Sequence, residues 1–230
     1  MTWARASRNS GVKRVGSAVD LVIFDLGRVL IRICDGWLHA CEVAGITVDE
    51  DVAARLKGPP PAAANELLHR YDTGRIDLPA FAAGLAPLCG LTPEDVVRLQ
   101  ECYLRGPYPG IDGLLDDLAA AGVRTGCLSN TSDLHWRMMR SRGGANSIPL
   151  DRLHHCFASH LVGLRKPDDA IYAHVERETG TPGNRIVFFD DVGENVEAAR
   201  RRGWHGCRID PAPDDAIPQA RQFLLGLGVL

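Results

Sequence analysis

Apolar runs and helically spaced apolar residues alternate along most of the chain. Residues 21–24 form an unbroken apolar run, which predicts a strand buried on both faces. From Ile111 onward, isoleucine and leucine recur at i, i+3, i+4 and i+7, a spacing that predicts a helix ending at Gly122. Residues 123–128 predict the next buried strand. A helix that leads directly into a strand is typical of α/β proteins.

The same order recurs in the second half of the chain. Residues 168–178 carry a helical pattern and are followed by the buried run 186–189. Residues 194–202 predict a further helix and residues 206–209 a short strand. Because helices and buried strands alternate, the sequence predicts an α/β fold with a parallel sheet and helices on both faces. Such sheets bind ligands at the carboxyl ends of their strands.

The long stretch between the first strand and the helix at Ile111 shows no strong buried strand. Its Ala-rich and Leu-rich segments are separated by Gly58 with three prolines and by Gly90, which indicates helices. An insert of this length is too long for a simple crossover. We therefore predict a helical cap domain over 33–106, inserted after strand one into a core formed by 19–32 and 107–230.

Composition narrows the classes of partner. The chain has 230 residues, and 26 basic against 29 acidic residues give a net charge of -3. This balance argues against nucleic acid or an anionic membrane as a partner, since both favour basic surfaces. No apolar stretch approaches the roughly 20 residues that a bilayer requires. Seven cysteines without a C-x-x-C pair, and residues 1–18 without a signal-peptide core, predict a flexible N-terminal tail and a cytoplasmic protein.

Acidic residues stand at the ends of two predicted strands. Asp25 follows the first strand, and Asp190 and Asp191 follow a later one, so the three carboxylates would meet at one edge of the sheet. Like charges placed together need a cation, and hard oxygen ligands suit Mg²⁺. A carboxylate beside the metal can attack a phosphoryl group, while the Lys166 ammonium and the Ser129 hydroxyl hold the phosphoryl oxygens.

Four ordered segments carry a resemblance to a known family. They are 22–30 (VIFDLGRVL), 128–131 (LSNT), 165–167 (RKP) and 188–191 (FFDD). In this order and spacing the chain resembles the haloacid dehalogenase (HAD) superfamily over about residues 20–210, with the HAD-like Rossmannoid sheet and inserted cap that this implies. Within the superfamily it is most similar to bacterial sugar-phosphate phosphatases of the α-D-glucose-1-phosphate phosphatase type.

The resemblance implies a Mg²⁺-dependent phosphomonoester hydrolase that forms an aspartyl-phosphate intermediate on a small phosphorylated metabolite such as a sugar phosphate. It implies that Asp25 is the nucleophile and that Ser129 and Lys166 bind the phosphate. Asn130, next to Ser129, is expected to fix the phosphoryl group or the substrate on the cap side.

The resemblance also implies a metal site made of Asp25, the carbonyl of Gly27, Asp190 and Asp191. Family members carry an aspartate two residues after the nucleophile, where its side chain protonates the leaving group and its carbonyl binds Mg²⁺. Here Gly27 keeps the carbonyl and lacks the acid. General acid catalysis is typically worth about 10² to 10⁴ in rate.

Three arginines are further candidates for binding substrate. Arg28 and Arg32 follow the nucleophile and could reach a second anionic group of the substrate, or they could be exposed. Arg75 lies on the turn 71–76 of the predicted cap, which could hang over the crevice.

Two alternatives to a phosphatase stay open. One is a catalytically weak HAD scaffold that binds a phosphorylated ligand or a protein partner, which Gly27 would explain. The other is a 2-haloacid dehalogenase, which needs no metal, but those enzymes carry an aromatic residue where Gly27 stands. The pair Asp190 and Asp191 also suits a carboxylate substrate poorly without Mg²⁺. The oligomeric state is open between monomer and homodimer.

Overall fold

The computed structural model describes residues 19–211 and 215–230, so the tail predicted over 1–18 lies outside the described residues. Strands and helices follow one another through this part of the chain. The seven strands found there are β1 (Leu21–Phe24), β2 (Ile31–Ile33), β3 (Leu104–Pro107), β4 (Arg124–Ser129), β5 (His155–Ala158), β6 (Ile186–Asp190) and β7 (His205–Arg208).

Helices make up most of the remaining described structure, and none of those described is long and apolar enough to cross a membrane. In chain order they are α1 (Trp37–Ala44), α2 (Glu50–Lys57), α3 (Ala62–Asp72), α4 (Leu78–Cys89), α5 (Pro93–Cys102), α6 (Ile111–Ala120), α7 (Asp133–Arg140), α8 (Ser159–Val162), α9 (Asp169–Thr179), α10 (Gly193–Arg201) and α11 (Ala216–Gly226).

Five parallel strands form the central sheet in the order β5-β4-β1-β6-β7. Side chains of β1 alternate between its two faces: Val22 and Phe24 belong to one apolar cluster, Leu21 and Ile23 to another. All four are fully buried, and each such side chain contributes roughly 1.5–3 kcal/mol to stability. The parallel sheet with helices on both faces, predicted from the sequence, is therefore confirmed.

A two-stranded antiparallel sheet joins the five helices α1–α5 to the central sheet. Its strands β2 and β3 pair with each other although the five helices lie between them in the chain, and we call this pair of strands the hairpin. These helices have apolar clusters of their own, built around buried residues such as Phe81 and Leu99. The boundaries predicted for the cap, 33 and 106, fall on the hairpin, and the division into a core and a cap domain stays a proposal.

The hairpin and β5 are elements that the sequence analysis did not predict. β5 reads His-Cys-Phe-Ala and β3 reads Leu-Arg-Gly-Pro, so neither shows an apolar run or a clear alternation. Their hydrogen bonds come from neighbours that are distant in sequence: β5 pairs with β4 and β3 with β2. Pairing of this kind depends on the tertiary fold more than on local pattern.

Candidate active site

Loops at the carboxyl ends of the sheet strands meet at one cavity of about 460 Å³. Asp25 follows β1, Ser129 ends β4 and Asn130 follows it, Asp191 follows β6, and Lys166 comes from the segment between α8 and α9. These five residues line the cavity, which we call the strand-end crevice. Its other wall, which we call the cap wall, comes from the end of β2, from α1, α3 and α5, and from the start of α7. The structure thus brings together the residues that the sequence placed at strand ends.

Lys166 is the buried cation of the strand-end crevice. Its side chain is 1% exposed, and Nζ lies 2.8 Å from Asp25 Oδ1 and 2.6 Å from Asp190 Oδ2. Burial favours the neutral amine, but these two carboxylates outweigh it and raise the pKa of Lys166. The residue is therefore a charged ammonium held between two acidic side chains.

Asn130 fixes the backbone of that lysine. Its Oδ1 accepts a hydrogen bond from the Lys166 N–H at 2.9 Å, and its Nδ2 donates to the Lys166 carbonyl oxygen at 2.9 Å. The sequence predicted that Asn130 would contact the phosphoryl group or the substrate. Both ends of its amide instead engage Lys166, so these contacts make Asn130 a residue that positions the lysine. Its contact with substrate stays a prediction.

Asp190 is fully buried and has a partner for each carboxylate oxygen. Lys166 Nζ donates to Oδ2, the Val192 N–H donates to Oδ1 at 2.8 Å, and Asn195 Nδ2 lies 3.1 Å from both oxygens. Tyr172 in turn donates its hydroxyl to the Asn195 carbonyl oxygen at 2.9 Å. Asn195 had no role assigned from the sequence. Its position in the first turn of α10, the helix that follows β6, was the signal that could have identified it.

The carboxylates of Asp25, Asp190 and Asp191 form an acidic cluster. Each offers one oxygen, and these oxygens lie within 4.8 Å of one another. Asp25 Oδ1 is buried and lies 2.8 Å from Lys166 Nζ, without a hydrogen bond of good geometry to any residue that the structure describes. Burial raises the pKa of Asp25 to about 7, an effect that Lys166 opposes and Asp190 reinforces. Three clustered carboxylates, two of them paired with one buried ammonium, fit a divalent cation with a preference for oxygen, such as Mg²⁺.

Gly27 stands in the crevice without a backbone reason for being glycine. Its φ lies outside the left-handed region, and an added Cβ would meet the Ile33 side chain at 3.4 and 3.8 Å, which are ordinary contacts. Gly27 also forms an isolated bridge to Ile31 at the base of the hairpin. The position therefore has room for a Cβ atom, and its backbone does not require glycine.

Arg28 lines the strand-end crevice in a backbone conformation that is uncommon for a residue with a side chain, and its contact with a second anionic group of the substrate stays a prediction. Its φ is 58°. Nη1 lies 3.5 Å from Asp191 Oδ2, and Nη2 lies 3.2 Å from Asp35 Oδ1. An anionic group bound here would share the guanidinium with these two carboxylates.

The structure does not bring Arg32 or Arg75 to the crevice. Arg32 Nη1 donates to the Pro107 carbonyl oxygen at 2.6 Å, and its guanidinium lies 4.8 Å from the centre of the Tyr108 ring. Arg75 is exposed on the turn after α3, and neither arginine lines the cavity. Tyr108 and the hairpin carbonyl, which draw Arg32 away, are 75 and more residues distant in sequence and gave no local signal.

The turn predicted over 71–76 begins in the last turn of α3, where Tyr71 and Asp72 line the cavity. The Asp72 side chain is 13% exposed, and its Oδ2 lies 3.6 Å from Arg165 Nη2. Burial raises the pKa of Asp72 to about 6, against the opposing effect of Arg165. From the sequence, Arg75 was the candidate named on this turn, and its contact with substrate stays a prediction.

Known proteins share the fold of this chain. Among solved structures, a HAD family enzyme of Bacteroides thetaiotaomicron in complex with magnesium and inorganic phosphate superposes with a TM-score of 0.64 at 20% identity, over 85% of this chain and 96% of that chain. A HAD-like family hydrolase of Porphyromonas gingivalis superposes with a TM-score of 0.70 at 22% identity, over 90% of this chain and 98% of that one. At these identities the likeness concerns the fold.

The amino-acid sequence also matches known phosphatases and a family model. A phosphatase of Mycobacterium tuberculosis is 27% identical over 51% of this chain and 52% of its own length, so this chain spans about half of it. A sesquiterpene phosphatase of Aspergillus oryzae is 27% identical over 63% of this chain and 73% of its own length. The model of a hydrolase family, haloacid dehalogenase-like hydrolase, matches residues 19–203. The chain belongs to the haloacid dehalogenase-like hydrolase family.

Proposed function

We propose that the protein is a Mg²⁺-dependent phosphomonoester hydrolase that works through an aspartyl-phosphate intermediate on Asp25. One observation carries the proposal: the fully buried ammonium of Lys166 lies 2.8 Å from Asp25 and 2.6 Å from Asp190, in a crevice that Ser129 also lines. A buried cation beside a strand-end carboxylate and a hydroxyl suits the transfer of a phosphoryl group, whose negative charge must be stabilised.

Each residue of the crevice has a chemical task in this proposal. Asp25 attacks phosphorus with a carboxylate oxygen, the bond from phosphorus to the leaving oxygen breaks, and water later hydrolyses the acyl phosphate. Lys166 neutralises the phosphoryl oxygens, and the Ser129 hydroxyl donates to them. Asn130 holds Lys166 at the required place.

The residues that would hold the metal are Asp25, the carbonyl of Gly27, Asp190 and Asp191. A bound Mg²⁺ would offset the carboxylate charge and polarise the phosphoryl oxygens. Two observations support this assignment: the carboxylate oxygens lie within 4.8 Å of one another, and the related Bacteroides enzyme was crystallised with magnesium and phosphate. The names of the mycobacterial and Aspergillus relatives, both phosphatases, support the reaction class.

The substrate that we propose is a small phosphorylated metabolite of the size of a sugar phosphate. The crevice, at about 460 Å³, has polar groups from Gln100, Ser132 and His135 beyond the phosphate-binding residues. Hydroxyl groups of a sugar can bond to such a wall. A reducing, cytoplasmic location is proposed with it, because the seven cysteines are free thiols.

The test is release of inorganic phosphate from a panel of sugar phosphates and p-nitrophenyl phosphate, with Mg²⁺ or with EDTA. We expect turnover by the wild-type protein with Mg²⁺ and none with EDTA or with Asp25→Asn. Asp51→Asn, which changes an exposed carboxylate on α2, is the matched control and should behave as wild type.

A second assay, release of chloride from 2-chloropropionate, decides between the alternatives. Chloride release without any metal would make the protein a dehalogenase. A folded protein that binds Mg²⁺ but releases neither phosphate nor chloride would be the non-catalytic scaffold.

A further inference from the structure

Hydrolysis of a phosphomonoester at this site, the function proposed above, requires a proton for the leaving oxygen. An alkoxide leaves far more slowly than an alcohol, so a positioned acid is worth about 10² to 10⁴ in rate. Gly27 stands where related enzymes carry that acid and has no side chain to supply it. If the protein acts on alcohol-type phosphate esters, another group in the strand-end crevice must hold the proton.

Asp72 is a carboxyl group fixed on the opposite wall of the crevice. It is the last residue of α3, and its backbone is tied to the core. Ser159 Oγ donates to the Asp72 carbonyl oxygen at 2.5 Å and accepts a hydrogen bond from the Thr131 N–H at 2.9 Å. Thr131 lies two residues after Ser129. The phosphate-binding loop and Asp72 are therefore held to each other through one fully buried hydroxyl.

The Asp72 side chain is shielded from water and faces a single cation. Arg165, the residue before Lys166, lies 3.6 Å from it, and Tyr71 precedes it in the crevice wall. On α8, which packs against α3, His160 directs Nδ1 to the Thr131 carbonyl oxygen and not to Asp72. Burial raises the pKa of Asp72 to about 6, so a fraction of the carboxyl groups carries a proton at neutral pH.

The other titratable groups that line the cap side and α7 side of the crevice are less suited to donate. The Nε2 of His135 lies 2.8 Å from the Gln100 carbonyl oxygen, so the proton on that nitrogen is already engaged, and burial lowers the pKa of His135. Burial raises the pKa of both Tyr71 and Tyr103, which makes these phenols weaker acids than usual. Asp191 pairs with Arg28 and belongs to the proposed metal site.

We propose that Asp72, a residue of the cap helix α3, is the general acid and base of the reaction in place of a residue at position 27. As the bond between phosphorus and the leaving oxygen breaks, the Asp72 carboxyl group gives its proton to that oxygen, and the product alcohol departs. The Asp72 carboxylate then takes a proton from the water that attacks the acyl phosphate. Inorganic phosphate leaves, Asp25 is regenerated as a carboxylate, and Asp72 is again protonated.

The experiment compares two aryl esters that differ in their leaving group, p-nitrophenyl phosphate and phenyl phosphate. Nitrophenolate leaves without help, whereas phenolate benefits from a proton. We expect Asp72→Asn to lower kcat/KM, which reports the steps up to departure of the leaving group, by about 10²-fold or more on phenyl phosphate and by less than about fivefold on p-nitrophenyl phosphate. Because hydrolysis of the acyl phosphate is common to both esters, loss of the base lowers kcat on both. Glu66→Gln, an exposed carboxyl group on the same helix α3, is the matched control and should leave both rates unchanged.

A second substitution tests whether the missing function is a proton. Because Gly27 has room for a Cβ, adding Gly27→Asp to Asp72→Asn should restore much of the lost rate on phenyl phosphate. Asp72→Glu, which keeps the acid, and thermal melting of every variant separate chemistry from misfolding. Equal losses of kcat/KM on the two esters from a folded Asp72→Asn protein, or no loss at all, would overturn the proposal while leaving the phosphatase standing. Inactivity of the wild type on both esters and on the whole panel of sugar phosphates would instead remove the proposed function itself.

Discussion

On the core wall of the strand-end crevice, acidic groups are held by fixed partners. Asp190 has a hydrogen bond to each oxygen, and Lys166 is clamped both at its side chain and at its backbone. On the cap wall Tyr71 and Asp72 line the cavity, and the Asp72 carboxylate lies 3.6 Å from Arg165. The core wall is thus organised before a ligand arrives, whereas the cap wall presents groups that a ligand could engage.

The two walls also differ in how they are anchored. Core residues stand at the ends of β1, β4 and β6, and β1 pairs with both of the other strands within the central sheet. The cap wall meets the core through contacts between separate helices and turns, among them Ser159 with Asp72, His135 with the Gln100 carbonyl oxygen, and the close approach of Gly74 to the His160 backbone. A preorganised core wall suits the charge of a phosphoryl group, and a cap wall held from outside the sheet suits the admission and release of substrate.

The strongest test of the core wall is Lys166→Met. The substitution leaves Asp25 and Asp190 buried without their shared ammonium, and removing one partner from a buried ion pair costs about 3–5 kcal/mol. We expect the free energy of unfolding in EDTA, measured by urea denaturation, to fall by that amount, and phosphatase activity to be lost. Mg²⁺ should recover part of the stability, because a cation would then screen the same carboxylates.

Lys57→Met is the control for that experiment. Lys57 lies exposed in the last turn of α2, where a surface substitution changes stability by about 0.5 kcal/mol or less. If Lys166→Met were no more destabilising than Lys57→Met, the buried ammonium would not be the electrostatic centre of the site.

The anchoring of the cap wall is tested by Gly74→Ala. Gly74 has a φ of 69°, and an added Cβ would lie 2.4 Å from the His160 carbonyl oxygen. Left-handed backbone costs an alanine roughly 1–2 kcal/mol, and the clash with backbone adds to this. We expect a loss of more than about 2 kcal/mol in the free energy of unfolding, with slower turnover of phenyl phosphate as Asp72 moves away from the core.

Gly143→Ala separates the two causes in that prediction. Gly143 has a φ of 77° and nothing within 4 Å of an added Cβ, so its substitution carries the backbone cost alone. Equal destabilisation by the two substitutions would show that the approach of the turn to α8 contributes nothing to the anchoring of the cap wall.

Strand ends on the core wall could be placed from the sequence, whereas side-chain contacts on either wall could not. Asp25, Ser129 and Asp190 could be placed because buried runs mark strand ends, and parallel strands bring their carboxyl ends to one edge. Asn130 was assigned to the phosphoryl group or the substrate, since nothing local reveals that its amide bonds to the backbone of Lys166, 36 residues away. On the cap, Arg75 was named from the turn 71–76 and Asp72 was not considered, because helix periodicity does not tell which side of a turn faces a distant loop.

The smallest expected effect sharpens the comparison at the junction of the two walls. Gly27 lies in the first loop of the core wall, against Ile33 of the hairpin that leads to the cap. Its backbone is compatible with alanine, and replacing such a glycine commonly stabilises a protein by about 0.4–1 kcal/mol through the unfolded state. We therefore expect Gly27→Ala to raise the midpoint of urea denaturation slightly and to leave Mg²⁺ affinity unchanged, because the carbonyl proposed to bind the metal is retained.

Gly126→Ala in β4 is the contrasting control, since its Cβ would lie 2.8 Å from the His155 carbonyl oxygen and from Ile23 Cδ1. Destabilisation by Gly27→Ala comparable to that control would mean that the loop needs glycine for packing, and the missing acid at this position would then have a structural cause.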